Sequence, residues 1–215
     1  HQVVRRQRQM CIRDRFCFDL AERRSAKLGV PQSVTCVDKS NVLRGCQLFR
    51  SIFREIAESY PQIGAKEAYI DAFTMWLVRD PEDLDVVVLP NMFGDIATDL
   101  ASVLQGGMGM AASANLGDKH MMFEPVHGSS PKHAGKNRVN PIAMLSSLQL
   151  MLENLSLRHD DPLLDKYGNI LQQAISQHLS SDGPKTYDIG GTGTTSEVGD
   201  AIADRVRTLL KNEKA

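Results

Sequence analysis

Several things are scarce or absent in this sequence, and each absence removes a class of function. No apolar run approaches the roughly 20 residues that span a bilayer, so a membrane-crossing helix is not expected. Charge of one sign is not in excess: the formal net charge is -1, which gives no electrostatic case for nucleic acid or for an anionic membrane surface. Cysteine is limited to Cys11, Cys17, Cys36 and Cys46, with no CxxC pair and no histidine at zinc spacing. Unpaired, buried thiols in a reducing cytoplasm are therefore expected rather than a disulfide framework or a zinc site. The dinucleotide fingerprint GxGxxG and the P-loop are both missing, as are internal repeats and low-complexity stretches. What remains has the 42% apolar and 24% charged content of an ordinary globular protein able to bury a core.

The first fifteen residues, HQVVRRQRQMCIRDR, stand apart with five arginines and one aspartate. They contain no serine and no apolar core of a secretory signal, so a targeting peptide is a poor fit. Arg5 to Arg15 back-translates in one frame to a transposase adapter used in preparing sequencing libraries. Residues 1–15 are therefore expected to be foreign to the fold, which leaves a charge of about -5 on the rest. The chain is then expected to be a C-terminal fragment.

From Phe16 onward helical and extended patterns alternate, which predicts an α/β architecture. A helix from Phe16 closes at Gly29 and Pro31. Val34–Val37 reads as a strand, Asn41–Tyr60 as a helix stopped by Pro61, and Glu67–Asp71 as a second strand. A short helix over Ala72–Val78 and a buried strand over Leu84–Leu89 follow. Asn91–Leu104 reads as a helix closed by Gly106 and Gly107, and Met121–Val126 as a strand. Pro141 opens an apolar helix to about Leu155. Two last helices lie near 163–179 and 195–210.

Two blocks carry chemistry. In Asn91-Met-Phe-Gly-Asp-Ile-Ala-Thr-Asp99, a helix puts Asp95 and Asp99 at i and i+4 on one face. Such a pair suits a hard cation, Mg²⁺ or Mn²⁺. The same spacing also describes a plain acidic face near a helix N-terminus. Asp71 and the Asp38-Lys39 pair end predicted strands, where α/β sheets place ligands. A lysine beside a metal can act as a base. The second block, Phe123 to Pro141, is a donor-rich loop leading into a helix N-terminus, either a cradle for a phosphate-bearing cofactor or a polar surface loop. Gln105-Gly-Gly-Met-Gly109 either permits close backbone approach or simply closes the preceding helix.

Four segments together, VDKSN at 37–41, YIDAFTMWLVRDPEDLDVVVLPNMFGDIATDLAS at 69–102, the loop at 123–141 and TYDIGGTGTTSEVGDAI at 186–202, resemble, in order, the isocitrate and isopropylmalate dehydrogenase family. The pattern is closest to 3-isopropylmalate dehydrogenases. The resemblance implies the family's two-domain, non-Rossmann α/β fold with its N-terminal portion missing. Residues 16–106 would belong to the substrate, metal and dimerisation domain, and 107–215 to the cofactor-binding domain. It implies metal-dependent oxidative decarboxylation of a malate-type 2-hydroxy acid, as in leucine biosynthesis. Isocitrate, tartrate or malate chemistry is the alternative, and a non-catalytic regulatory subunit is the rival of another class.

By the same resemblance, Asp71, Asp95 and Asp99 match metal ligands, and Lys39, beside Asp71, matches the residue that transfers protons. Asn41 and Glu124 match positions near the nicotinamide, and His127, Gly128, Ser129 and Asn140 match the adenosine loop. The family forms homodimers with shared active sites, in which Lys39 and Asp71 would serve the partner's Asp95 and Asp99. Lys132 stands where NAD-using members carry an aspartate, and with His133, Arg138 and Tyr187 it points to NADP. FEPVHGS and Met151-Leu-Glu153 point instead to the NAD-using isopropylmalate branch, so the cofactor is NAD or NADP.

Overall fold

The computed structural model describes the backbone of residues 2–213 and the side chains of 10–213. The side chains of residues 1–9, most of the segment expected to be foreign, lie outside the described residues. The chain divides into two compact units, 1–101 and 102–215.

The first unit is built on a three-stranded parallel sheet in the order β2-β1-β3, with β1 Ser33–Asp38, β2 Gly64–Tyr69 and β3 Val86–Val88. Its helices are α1 Gln2–Leu28, α2 Arg44–Ala57, α3 Ile70–Arg79 and most of α4 Asn91–Leu104. The central strand β1 is buried on both faces, as parallel strands covered by crossover helices are. Alternation decides its packing: Val34 and Cys36 meet Phe18, Phe49, Ile52 and Phe53 of α1 and α2. Val37 meets Phe73, Leu77 and Ala97 of α3 and α4. Buried Cys46, Phe49, Ile52, Phe53 and Ile56 make one apolar stripe along α2. Phe18 stacks on Phe53 at 5.3 Å and on Tyr60 at 5.1 Å. Edge strand β2 is largely exposed until its end.

All four thiols are free, and three of them, Cys17, Cys36 and Cys46, are buried. Burial pushes the Cys17 thiol up to about 12, so it is an inert core hydrophobe rather than a nucleophile.

Helix α1 runs unbroken from Gln2 through residue 15 and beyond. Arg13 donates to the Leu89 carbonyl at 2.9 Å and lies over the Phe49 ring at 4.5 Å. Asp14 fits poorly. It is fully buried, neither carboxylate oxygen has a hydrogen bond, and among the described residues it is paired only with Arg13, whose Nε is 3.7 Å away. Burial pushes its carboxyl up to about 6, against opposition from Arg13. A raised carboxyl pKa means that the folded state binds the proton more tightly than the unfolded state. Stability is therefore lost as pH rises from about 4 to about 6, by roughly 2–3 kcal/mol at about 1.4 kcal/mol per unit. Asp14→Ala is expected to recover that amount at pH 7 and little of it below pH 4. Pulse proteolysis in urea at the two pH values measures this, and an equal gain at both would contradict the assignment to charge burial.

The second unit has an antiparallel pair, β4 Ala112–Leu116 and β5 Met121–Pro125, packed with α5 Ile142–His159, α6 Pro162–Leu179 and α7 Thr195–Asn212. The reading of the sequence contains no counterpart of β4. Its Ala-Ser-Ala-Asn-Leu composition has little β propensity, and pairing with β5 supplies what the residues themselves do not. Asp161 caps α6 by accepting from the Leu163 amide at 2.9 Å, with Pro162 in the first turn. Thr194 and Glu197 form a capping box on α7. The core joins Ile142, Leu171, Ala174, Ile175, Val198 and Ile202. Gly106 and Gly107, at φ 102° and 106°, close α4 through bonds from their amides to Val103 and Ser102, whereas Gly109 permits close approach, since a Cβ there would lie 2.6 Å from Asp188 Oδ2. Among the described residues, no helix is long and apolar enough to cross a membrane.

Candidate active site

The parallel register of β1 and β2 builds the first part of the site. Asp38 pairs with Tyr69, so both strands end together and deliver Lys39 and Asp71 to the same edge. Lys39 Nζ donates to Asp71 Oδ1 at 2.5 Å. Asp71 is not the last residue of a strand, as the alternation of Glu67–Asp71 suggests. The strand stops at Tyr69 and Asp71 occupies the first turn of α3, where the helix dipole favours a carboxylate. The hydrogen bond from Lys39, followed by one from its own backbone amide, holds the Asp71 carboxyl below the usual carboxylate range. Lys39 is about a quarter exposed and Asp71 about two-thirds exposed, so both are open to a ligand or a second chain. Asn41 lies exposed in the turn after Lys39, whose carbonyl accepts from the Val42 and Leu43 amides.

Behind this pair lies a network that sequence spacing does not reveal. Fully buried Asp38 accepts the Arg50 fork at 2.9 and 2.8 Å and the Ser40 amide at 2.8 Å. Arg50 also donates to the Ala68 carbonyl at 3.1 Å and lies 4.9 Å from the Tyr69 ring centroid.

Asp95 and Asp99 lie one turn apart on α4 and are both exposed. Asn91 Nδ2 donates to Asp95 Oδ2 at 3.2 Å. Two carboxylates at this spacing fit a hard divalent ion as two of its oxygen ligands. Among the described residues, no group of three acidic, histidine or cysteine side chains could hold a metal, so Asp71 is not gathered with Asp95 and Asp99 within one chain.

In the second unit, Glu124 is exposed on β5 and His127 Nδ1 contacts the Gly128 carbonyl at 2.8 Å. Gly128 has no positive φ, and a Cβ there would meet nothing within 4 Å. The protein's own packing therefore does not require glycine at that position. Ser129 is exposed, and Lys132 is exposed in a short 3-10 turn, Pro131–His133. Tyr187 stacks on His133 at 6.0 Å between centroids and lies under the Arg138 guanidinium at 4.3 Å. The Ser130 hydroxyl fixes His133 through Nδ1 at 2.9 Å. Asn140 is buried. Its Oδ1 accepts from the Ile142 amide at 3.0 Å and its Nδ2 donates to Asp188 at 3.0 Å, so its amide is committed to shaping the loop and capping α5.

The model of the isocitrate/isopropylmalate dehydrogenase family matches residues 12–202. The chain belongs to that family. The 3-isopropylmalate/3-methylmalate dehydrogenase of Methanocaldococcus jannaschii is 43% identical over 194 residues, covering 90% of this chain and 56% of the relative. A probable NAD isocitrate dehydrogenase subunit alpha, mitochondrial, of Caenorhabditis elegans is 38% identical over 195 residues, covering 90% of this chain and 51% of the relative. The structure of a β-decarboxylating dehydrogenase from Thermococcus kodakarensis superposes with a TM-score of 0.84 at 35% identity, covering 97% of this chain and 58% of that one. This family member thus has the α/β fold of the β-decarboxylating dehydrogenases and spans about half the length of the curated relatives it matches.

Proposed function

We propose that this chain is the C-terminal part of a metal-dependent β-decarboxylating dehydrogenase that oxidises 3-isopropylmalate with NAD or NADP in the cytoplasm. The observation that carries this reading is the Lys39–Asp71 pair set at the carboxyl ends of two parallel strands. A bound Mg²⁺ or Mn²⁺ would supply Lewis acidity at the substrate's C2 oxygen. Asp95 and Asp99 would hold the ion, with Asp71 reaching it from a second copy. The separation of Asp71 from the other two carboxylates supports a homodimer with shared sites. Lys39 would serve in proton transfer at the substrate's C2 oxygen, its Nζ oriented by Asp71. The presence of the lysine and all three aspartates argues against a regulatory subunit.

The loop would hold the cofactor. At Gly128, close ligand approach is the reason for a glycine that the fold itself does not supply. Ser129, His127, Glu124 and Tyr187 would present their polar groups to it, and Asn140 shapes the loop.

Full-length enzyme for testing is a chimera in which the upstream portion of the Methanocaldococcus jannaschii relative replaces residues 1–15. We expect it to turn over 3-isopropylmalate only with Mn²⁺ or Mg²⁺ present, which tests the metal and proton-transfer residues that this chain supplies. Turnover independent of the metal would contradict the reading. Lys132→Asp is expected to weaken NADP by about tenfold or more through loss of a charge-assisted phosphate contact, with little effect on NAD. Equal losses measured by cofactor titration would leave Lys132 as a solvated surface charge.

A further inference from the structure

Arg50 belongs to neither of the two blocks that carry the proposed chemistry, yet its guanidinium touches the ends of both strands that carry Lys39 and Asp71. Nε and Nη2 bond the two oxygens of Asp38, the residue immediately before Lys39. Nη2 also reaches the Ala68 carbonyl on β2 at 3.1 Å, Nη1 lies 3.4 Å from Glu67 Oε2, and the guanidinium stacks on Tyr69, two residues before Asp71. Only about an eighth of the Arg50 side chain is exposed, and its partner Asp38 is fully buried, so water does not compete for these bonds. The five-donor fork is what this arrangement uses, because a lysine ammonium cannot make two parallel bonds to a carboxylate and also reach the carbonyl of the next strand.

We infer that Arg50 is a positioning residue: it clamps the carboxyl ends of β1 and β2 and thereby sets the contact between Lys39 and Asp71. The contact needs this support. Lys39 has a long flexible side chain, Asp71 is mostly exposed, and an exposed ion pair alone gains too little to hold one geometry. Fixing the two backbones removes the remaining freedom, which is how catalytic geometry is held by a supporting shell. The importance of Lys39 and Asp71 rests on the proposed function, but the clamp itself is a geometric claim and is tested without turnover.

The test is zero-length carbodiimide coupling in the 215-residue chain at low concentration. The reagent activates the Asp71 carboxylate, the Lys39 amine displaces the urea leaving group, and an amide forms only where the two groups touch. Mass spectrometry quantifies the Lys39–Asp71 link against Lys166–Glu213, an ion pair in the other unit. Arg50→Met, and Arg50→Lys as the variant that keeps charge and most of the volume, are expected to lower the Lys39–Asp71 link by about threefold or more, the population change that goes with losing one net hydrogen bond. The Lys166–Glu213 link and amide-exchange protection of β1 and β2 should stay unchanged. An unchanged Lys39–Asp71 link in Arg50→Lys would overturn the inference. So would loss of β1 and β2 protection in both variants, since Arg50 would then merely hold the fold together. Catalytic failure of the full-length chimera with an intact clamp would count against the proposed function alone.

Discussion

Asp95→Asn in the full-length chimera is expected to lower kcat by about 10³-fold with Mn²⁺ present, with a smaller change in cofactor binding. The substitution removes one negative oxygen from a two-carboxylate set on α4 and leaves an isosteric amide that Asn91 can still contact. A divalent ion's stabilisation of developing charge on oxygen amounts to several kcal/mol, and each 1.4 kcal/mol of barrier is a factor of ten. Both side chains are exposed, so the change adds no buried cavity and stability should hold within about 0.5 kcal/mol. Retained thermal unfolding with lost turnover, partly recovered at high Mn²⁺, is the expected pattern. Full turnover at low Mn²⁺ would remove Asp95 from the metal site.

The 215-residue chain by itself is expected to show no dehydrogenase activity and to self-associate. It spans about half of its relatives, and in the proposed reading the missing half holds the groups that clamp the substrate carboxylates. Members of a catalytic set act as a unit, and losing part of the set forfeits most of the rate. The second unit also carries apolar surface suited to burial. Helix α5 is apolar around much of its circumference, with Met144 59% and Leu148 40% exposed, a pattern that belongs to a helix covered on several sides. Restoring the upstream region should recover both turnover and a single sedimenting species. Robust turnover by the 215-residue chain would refute the dependence on the missing half.

Much of the architecture was legible because it rests on periodicity. The apolar spacing from Asn91 to Leu104 gives α4 with the bounds observed, and Pro141 marks the start of α5 by local chemistry alone. Strand β4 was not legible, because its Ala-Ser-Ala-Asn-Leu residues have little β propensity of their own and form a strand only by pairing with β5. The candidate site divides in the same way. Asp95 and Asp99 share a helix, so spacing alone puts them on one face. Lys39 and Asp71 meet through strand register across 32 positions: their strand-end positions were legible, but their contact was not. Asp71 was assigned to the end of a strand because Glu67-Ala-Tyr-Ile-Asp alternates, although the helix dipole draws it into α3. Nothing in the spacing of α2 singles out Arg50, because its partners come from two different strands.

The measurement that tests the central claim most directly is paired quantification of CO₂ and reduced nicotinamide from 3-isopropylmalate in the full-length chimera. It should be run with Mn²⁺, after chelation, and in a Lys39→Met variant. The account predicts one CO₂ per reduced nicotinamide with the metal present and loss of both products on chelation. For the variant, where a positioned proton-transfer group typically contributes about 10²–10⁴-fold, both should fall together by that order. Reduced nicotinamide formed without CO₂, or turnover indifferent to metal and to Lys39, would contradict it.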